Sequence, residues 1–170
     1  MAHTIEPAAS GRSKCRGCGS QITKGELRFG ERLPNPFADE GDMTLWFHLQ
    51  CAAFKRPESL HEVAALLGEQ QSALETIISL GIEHSSLPRI DGLEKAPSGR
   101  AKCRACEESI AKGDWRIKLV YFEDGMFNPS GTIHVTCAKE YFGTTDILDR
   151  LEYFADVDPQ TLQEVAEMLG

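Results

Sequence analysis

The sequence predicts an α+β fold of two small β-hairpin modules, each followed by short α-helices. A stretch of nineteen residues, SGRSKCRGCGSQITKGELR at 10–28, returns as SGRAKCRACEESIAKGDWR at 98–116, with eleven identical positions. The copies lead into stretches of alternating polarity that are typical of strands, ELRFG and DWRIKLVYF, and apolar residues at helical spacing come after them. The same order of features occurs twice, which indicates a duplicated unit.

Short helices are predicted after each hairpin. Asp158 followed by Pro159 suits the N-cap and first position of a helix. The stretch PESLHEVAALLG at 57–68 aligns without a gap with PQTLQEVAEMLG at 159–170, so the repeat includes a helix. We expect the apolar faces to form core and the acidic faces to be solvated. The apolar stripes are Leu60, Val63, Leu66 and Leu67; Leu74, Ile77 and Ile78; Ile147, Leu148, Leu151 and Phe154; and Leu162, Val165, Ala166 and Leu169.

The formal net charge of -8 is divided unevenly along the chain. Residues 10–56 carry eight Lys or Arg and five Asp or Glu, a balance of +3, whereas 57–94 carry one and seven, a balance of -6. The second half repeats this, with eight and six (+2) in 95–143, then one and seven (-6) in 144–170. Two mildly basic modules therefore alternate with acidic segments, and the basic modules keep nucleic acid among the candidate partners.

The six cysteines indicate metal binding rather than disulfides. There is no apolar run of membrane-spanning length, and the start MAHTIEPAAS lacks the pattern of a signal peptide. We therefore expect a soluble, intracellular protein, and the reducing interior of a cell disfavours disulfides.

Each module contains a C-x-x-C pair and a distant H-x-x-C pair. Three thiolates and one imidazole complete a tetrahedron and leave no position for a catalytic water, as in structural zinc sites. A redox dithiol is the rival interpretation, but the βαβ context is missing and it leaves the H-x-x-C pairs unexplained. The sequence thus predicts two structural zinc ions. The ligands are Cys15, Cys18, His48 and Cys51 in the first module, and Cys103, Cys106, His134 and Cys137 in the second.

These residues resemble the zinc finger of poly(ADP-ribose) polymerases and of vertebrate DNA ligase III. That family has a Ser-Gly-Arg-x-x-C-x-x-C opening, a following Ile and Lys, an Arg ten residues after the second cysteine, and a distant H-x-x-C. Both modules match it, with WFHLQC and IHVTC at their ends. The matching residues outside the ligand sets are Ser10, Gly11, Arg12, Ile22, Lys24 and Arg28, and then Ser98, Gly99, Arg100, Ile110, Lys112 and Arg116.

The resemblance implies sequence-independent recognition of DNA strand breaks. Arg12 and Arg100 correspond to one phosphate-contacting arginine of the family, and Arg28 and Arg116 to its second. The planar guanidinium of arginine can donate two hydrogen bonds to phosphate oxygens, which binds the DNA backbone without contacts to the bases. Further basic residues of the cysteine loops would add general attraction to the phosphates: Lys14, Arg16, Lys102 and Arg104.

In the family, a loop between the second arginine and the histidine wedges apolar side chains into the opened base stack. The corresponding loops here are FGERLPNPFADEGDMTL and IKLVYFEDGMFNPSGT, and acidic residues lie close to the apolar ones. Stacking at a nick contributes without sequence preference; packing within the protein is the alternative role. The candidates are Leu33, Phe37 and Met43 in the first loop, and Phe122, Met126 and Phe127 in the second.

The domain division expected from these features has five parts. They are a first finger at 1–56, an acidic helical segment at 57–81, a linker at 82–97, a second finger at 98–143 and an acidic helical segment at 144–170. The linker IEHSSLPRIDGLEKAP is polar, contains two prolines and a glycine, and has no clear periodicity.

The leading functional hypothesis is a non-enzymatic DNA-break sensor acting in damage sensing or repair. Its partner would be double-stranded DNA with nicks or ends, in the nucleoid or cytoplasm of a prokaryote or the nucleus of a eukaryote, and the acidic helices would recruit repair proteins. We find no transferase, ligase or BRCT region and no nucleophile–base or phosphate-loop signature. The alternative is a zinc-stabilised protein-interaction module that does not bind DNA, which the net charge of -8 favours.

Overall fold

The computed structural model describes residues 2–170 as two compact units. Unit 1 contains the chain up to Glu83 together with Phe122–Phe127, and unit 2 contains His84–Tyr121 and Asn128–Gly170. The fold is mixed α/β, with two three-stranded sheets and short helices, which confirms the predicted fold class. Within residues 2–170, no helix is long and apolar enough to cross a membrane.

The sheet of unit 1 consists of β1 (Thr4–Pro7), β2 (Leu27–Pro34) and β3 (Asp42–His48), in that order. Both pairings are antiparallel, and Arg28 of β2 lies opposite His48 at the end of β3. Phe29 and Phe47 are fully buried, as expected for inward positions of a sheet that faces the core on one side. The hairpin β2–β3 is confirmed, whereas the sequence did not predict β1.

Four helical elements follow in unit 1. They are α1 (Leu49–Lys55), α2 (Pro57–His61), a 3₁₀ segment (Ala64–Gln70) and α3 (Gln71–Glu83). Most of the predicted apolar stripe is buried, including Leu60, Leu67, Leu74 and Ile78. Leu66 differs, since 58% of its surface is exposed.

The first predicted helix of this segment is split, and the backbone explains the division. Val63 has φ -119° and ψ 23°, and Gly68 has φ 58° and ψ -123°, so neither residue is helical. The aligned segment in unit 2 forms one helix, which begins with a cap: the Asp158 carboxylate accepts a hydrogen bond from the Thr161 amide at 2.7 Å. The corresponding Arg56 makes no side-chain capping bond.

Unit 2 repeats the arrangement with a sheet of β4 (Ile90–Lys95), β5 (Trp115–Glu123) and β6 (Met126–His134). The helices α4 (Ala138–Phe142), α5 (Leu148–Phe154) and α6 (Pro159–Leu169) come after the sheet. Two short 3₁₀ turns lie at Leu87–Arg89 and Val135–Cys137.

The region predicted as a linker, 82–97, contains the end of α3, a 3₁₀ turn and β4. Ile90 and Leu93 are buried in unit 2, and a register shift between Ile90 and Gly92 interrupts the pairing with β5. This irregularity removes the strict alternation that marks a strand in sequence. A strand therefore lies where composition alone predicts a connection.

A buried ion pair fixes β2 to the helices of unit 1. Glu31 is fully buried, and Arg56 donates to it through Nε at 2.8 Å and Nη2 at 2.6 Å. The Ser59 hydroxyl donates to the same carboxylate. A buried carboxylate needs such partners, because an unpaired charge in the interior is costly.

Replacing this arginine is expected to destabilise unit 1. We predict that Arg56→Met lowers the free energy of unfolding by about 3 kcal/mol, because it leaves the Glu31 charge buried without its counterion. Chemical denaturation of the zinc-loaded protein measures the loss. The double variant Glu31→Met/Arg56→Met should recover much of it, and a double variant as unstable as the single one would contradict this account.

Two candidate zinc centres and their basic surroundings

The first metal site is assembled from a loop and a strand–helix junction. The loop is closed by the pairing of Lys14 with Gln21, and the Cys15 amide donates to the Ser20 carbonyl at 2.8 Å. His48 ends β3 and Cys51 lies in α1, so H-x-x-C spacing places both side chains on one side of the junction.

The second site has the same construction. Lys102 pairs with Ser109, and the Cys103 amide donates to the Glu108 carbonyl at 2.8 Å. One turn position differs, since Gly19 with φ 78° is replaced by Glu107 with φ 65°. A side chain at positive φ is unfavourable, so the second loop is held in this shape against the preference of its own residue.

The distances between ligand atoms fit zinc. The ligand atoms of each set of four lie within 4.8 Å of one another. His48 Nδ1 lies 3.4 Å from Cys18 Sγ and 3.7 Å from Cys51 Sγ, and His134 Nδ1 lies 3.5 Å from Cys106 Sγ and 3.7 Å from Cys137 Sγ. Tetrahedral zinc with Zn–S bonds of about 2.3 Å and Zn–N bonds of about 2.0 Å places sulfur and nitrogen about 3.5 Å apart. Both predicted zinc sites are confirmed as ligand sets.

Outer contacts orient the ligands for a metal. His48 Nε2 lies 3.2 Å from the Gln21 carbonyl oxygen, and His134 Nε2 lies 3.2 Å from the Ser109 carbonyl oxygen. A carbonyl accepts only, so Nε2 carries the proton and Nδ1 is left to bind the metal.

Backbone amides support the first thiolate of each site. Gly17 and His48 donate to Cys15 Sγ at 3.3 Å, and Ala105 and His134 donate to Cys103 Sγ at 3.4 Å. Such bonds favour the charged form of the sulfur, which is the form that binds zinc.

The thiols of the two sites hold their protons differently in the absence of metal. A hydrogen bond from the Cys51 thiol, with backbone amides, lowers the pKa of Cys15 to about 5. Burial acts to raise the pKa of Cys103, but backbone hydrogen bonds outweigh it and the pKa is about 7. Burial and the neighbouring thiols Cys103 and Cys106 raise the pKa of Cys137 to about 12. The proton on the Cys137 thiol therefore competes with zinc at the second site.

The basic residues of the cysteine loops point to solvent. All six are exposed, and Arg12, Lys14, Arg100 and Lys102 form no ion pair with any residue in 2–170. Arg104 is tethered, because its Nε donates to the Ser130 carbonyl at 2.8 Å. The loops thus carry matching free cations beside each metal site.

The second arginine of each module is paired. Arg28 donates to Glu6 at 3.3 Å and to Ser13 Oγ at 2.9 Å, and its guanidinium lies 3.5 Å from the centre of the Trp46 ring.

Arg116 donates to Glu94 through Nε at 3.0 Å and Nη2 at 2.5 Å. Sequence reasoning missed both glutamates, although each lies four residues before its Ser-Gly-Arg motif, a regularity that extends the repeat beyond its first cysteine.

The apolar candidates of the first hairpin differ in exposure. Phe37 is 78% exposed at the tip, where its amide donates to Asn35 Oδ1 at 3.0 Å. Leu33 and Met43 are half-buried on opposite strands, in register with each other. Among the three candidates of the first hairpin, Phe37 therefore has the side chain that is most accessible to a ligand.

The tip of the second hairpin, Phe122–Phe127, belongs to unit 1 and packs there. The Phe122 ring lies 3.9 Å from the Arg56 guanidinium and 4.8 Å from the Phe127 ring, and Phe127 makes an edge contact with Phe47. Met126 is 48% exposed. The two aromatic rings therefore take part in packing, and Met126 presents the accessible apolar surface of this tip.

These features define a class of protein, a tandem repeat stabilised by two Cys₃His zinc centres. Residues 6–85 match the family described as the poly(ADP-ribose) polymerase and DNA-ligase Zn-finger region. The first repeat therefore belongs to this zinc-finger family, and the second repeat carries the same ligand set.

Relatives extend the similarity over both repeats. A poly [ADP-ribose] polymerase of Sarcophaga peregrina is 32% identical over 85% of the chain, and poly [ADP-ribose] polymerase 1 of Oryza sativa subsp. japonica is 30% identical over 90%. The polynucleotide 3'-phosphatase ZDP of Arabidopsis thaliana is 25% identical over 99%. The chain spans 17% of the length of each polymerase and 28% of the phosphatase.

Acidification is expected to release zinc from both sites. Thiol and imidazole ligands must lose their protons to bind zinc, so protons displace the metal as the pH falls. A zinc-responsive dye measures release as the pH is lowered stepwise.

Two variants assign the signal to a site. Cys51→Ala and Cys137→Ala should each retain one zinc ion, held in the second and first site respectively. Zinc binding that does not change with pH in either variant would contradict this expectation.

Proposed function

We propose that this chain binds DNA strand breaks, both nicks and ends, independently of sequence. The main support is the pair of cysteine loops beside the metal sites. Each loop has an exposed arginine and an exposed lysine that have no counterion within residues 2–170. Cations fixed beside a rigid metal site suit contacts to phosphates, which lie at regular positions along any duplex. The protein is accordingly DNA-associated.

Arg12 and Arg100 are the primary phosphate contacts, and Lys14 and Lys102 add to the attraction. Arg16 contributes in the same way, whereas Arg104 acts from a fixed position set by its bond to Ser130. Arg28 and Arg116 are secondary contacts, because each is engaged by a glutamate.

Recognition of a break requires something that intact duplex does not offer. At a nick the base stack opens, and an apolar side chain gains about 1 to 3 kcal/mol for each base it stacks on. Phe37, at 78% exposure, and Met126, at 48%, are the accessible apolar residues of the two hairpin tips. We assign the wedge role to these two residues, and a lesser part in it to Leu33 and Met43, which are half-buried.

The relatives support binding rather than a shared reaction. Their names describe a polymerase and a phosphatase, and the family description adds a ligase. These names describe different reactions, so the part that they share with this chain is better explained by binding than by catalysis. The phosphatase is named for the 3' end of a polynucleotide. A finger that binds DNA breaks is compatible with each of these names.

We further propose that the two fingers act without chemistry of their own. Each Cys₃His set fills all four positions of a tetrahedral zinc ion, which leaves none for an activated water. The metal stabilises the loops and does not act as a Lewis acid.

A protein-interaction module is the competing proposal, and the net charge of -8 favours it. The acidic segments 57–94 and 144–170 each carry -6, which suits basic partners, including repair proteins. If the protein is such a module, it should have no affinity for DNA at any ionic strength.

The zinc-loaded protein should bind a nicked dumbbell and an open blunt duplex more tightly than a closed dumbbell of the same sequence. A closed dumbbell has no ends, so it isolates the effect of the break, and fluorescence anisotropy measures all three. Arg12→Gln/Arg100→Gln should weaken binding about tenfold and reduce the salt slope by about 0.9 for each lost phosphate contact. Lys139→Gln, an exposed cation on α4, is the control for a change of charge.

Equal weak binding to all three duplexes would overturn break recognition while leaving DNA binding. Absence of binding at low salt would favour the protein-interaction module. Unchanged affinity in the double arginine variant would remove these residues from the interface.

The Phe37→Ala variant is expected to lose affinity for the nicked dumbbell by about 1 kcal/mol or more, because one stacking contact is lost. Binding to the closed dumbbell should change little, since an intact stack offers no base face. Leu66→Ala removes another exposed apolar side chain of unit 1 and serves as the control. Equal losses on nicked and closed dumbbells would show that Phe37 does not sense the break.

A further inference from the structure

The two repeats place a glutamate on the second arginine in the same way. Glu6 of β1 pairs with Arg28 of β2, and Glu94 of β4 pairs with Arg116 of β5. The register is equivalent, since Glu6 lies opposite Arg28 and Glu94 lies opposite Arg116 in the two antiparallel pairs. Cross-strand neighbours of opposite charge attract, so the pairing is built into both sheets.

The glutamate is the more exposed partner in both pairs. The Arg28 side chain is 9% exposed and that of Glu6 is 47%, whereas the values are 14% for Arg116 and 33% for Glu94. A phosphate that approaches from solvent therefore meets a carboxylate before it meets the guanidinium.

The two Glu–Arg pairs have different surroundings, although the arginine is bound by a glutamate in both. Arg28 is held by Ser13 and the Trp46 ring as well as by Glu6. Arg116 gives two donors to Glu94, and Lys118 Nζ lies 3.8 Å from the other oxygen of that carboxylate. Additional contacts thus hold the arginine in the first pair and the carboxylate in the second.

We infer that Glu6 and Glu94 limit the phosphate affinity of the two fingers by masking Arg28 and Arg116. This inference rests on the proposed DNA binding, and it reassigns the second arginine of each finger from a free phosphate contact to a restrained one. Sequence-independent affinity comes from unmasked cations, so masking two of them weakens capture by undamaged duplex. Arg12 and Arg100, which have no such partner, carry the contact.

The test measures anisotropy of closed and nicked dumbbells with Glu6→Gln, Glu94→Gln and both together. Each single variant should bind the closed dumbbell roughly three- to tenfold more tightly, with a steeper salt dependence, because an unmasked arginine becomes available. Glu75→Gln on α3 and Glu152→Gln on α5 make the same charge change at exposed positions and should have little effect.

A second set of variants separates masking from a structural role. Arg116→Gln should weaken binding, because it leaves the carboxylate facing the phosphates, and Glu94→Gln/Arg116→Gln should return to within about twofold of the parent protein. Zinc content and thermal unfolding are recorded for every variant. A glutamate with only a structural role would change stability and leave the salt slope unchanged.

The possible results are distinct. Binding by the parent protein without a gain in the glutamine variants overturns the masking and leaves the proposed function standing. Binding only by the glutamine variants supports masking and overturns the proposed function of the parent. Absence of binding in every variant overturns both, and a gain of the same size in Glu75→Gln and Glu152→Gln assigns the effect to net charge and overturns the masking.

Discussion

The zinc tetrahedra are the constraint on which each finger depends. Each one ties a short, polar cysteine-bearing loop to the point where a strand ends and a helical turn begins. Binding energies of about 10 to 16 kcal/mol in comparable zinc peptides far exceed what a loop of this size gains by packing. The metal would add to the backbone hydrogen bonds that close each loop, and would so fix the direction of the loop's cations and the start of the following helix.

Electrostatics within the fingers resolves the apparent conflict between an acidic chain and a basic surface. The negative charge lies mainly on the helical segments, and part of the positive charge of the fingers is neutralised inside the sheets by Glu6 and Glu94. The cations of the metal loops remain exposed and without such a partner. The net charge of -8 therefore describes neither the acidic helical segments nor the basic loops.

The fold class, the β2–β3 hairpin and all eight metal ligands were predictable, because a repeated motif with fixed spacing reflects local geometry. The sequence did not reveal β1 or β4, since four to six residues with irregular alternation resemble a loop. It also gave no sign that Phe122 and Phe127 pack in unit 1, because contacts between distant parts of the chain leave no periodic trace. The burial of Arg28 was not predictable for the same reason, because it depends on contacts with Glu6 and Trp46, which are distant in sequence.

The tip Phe122–Phe127 makes unit 1 discontinuous in sequence. A fragment ending at Glu83 keeps all four ligands of the first metal site, yet it lacks the rings that cover Arg56 and Phe47. The duplication therefore did not produce two interchangeable halves. Exchange of one repeat for a second copy of the other replaces FEDGMF by the acidic, proline-containing turn of the first hairpin, and unit 1 then loses part of its own core.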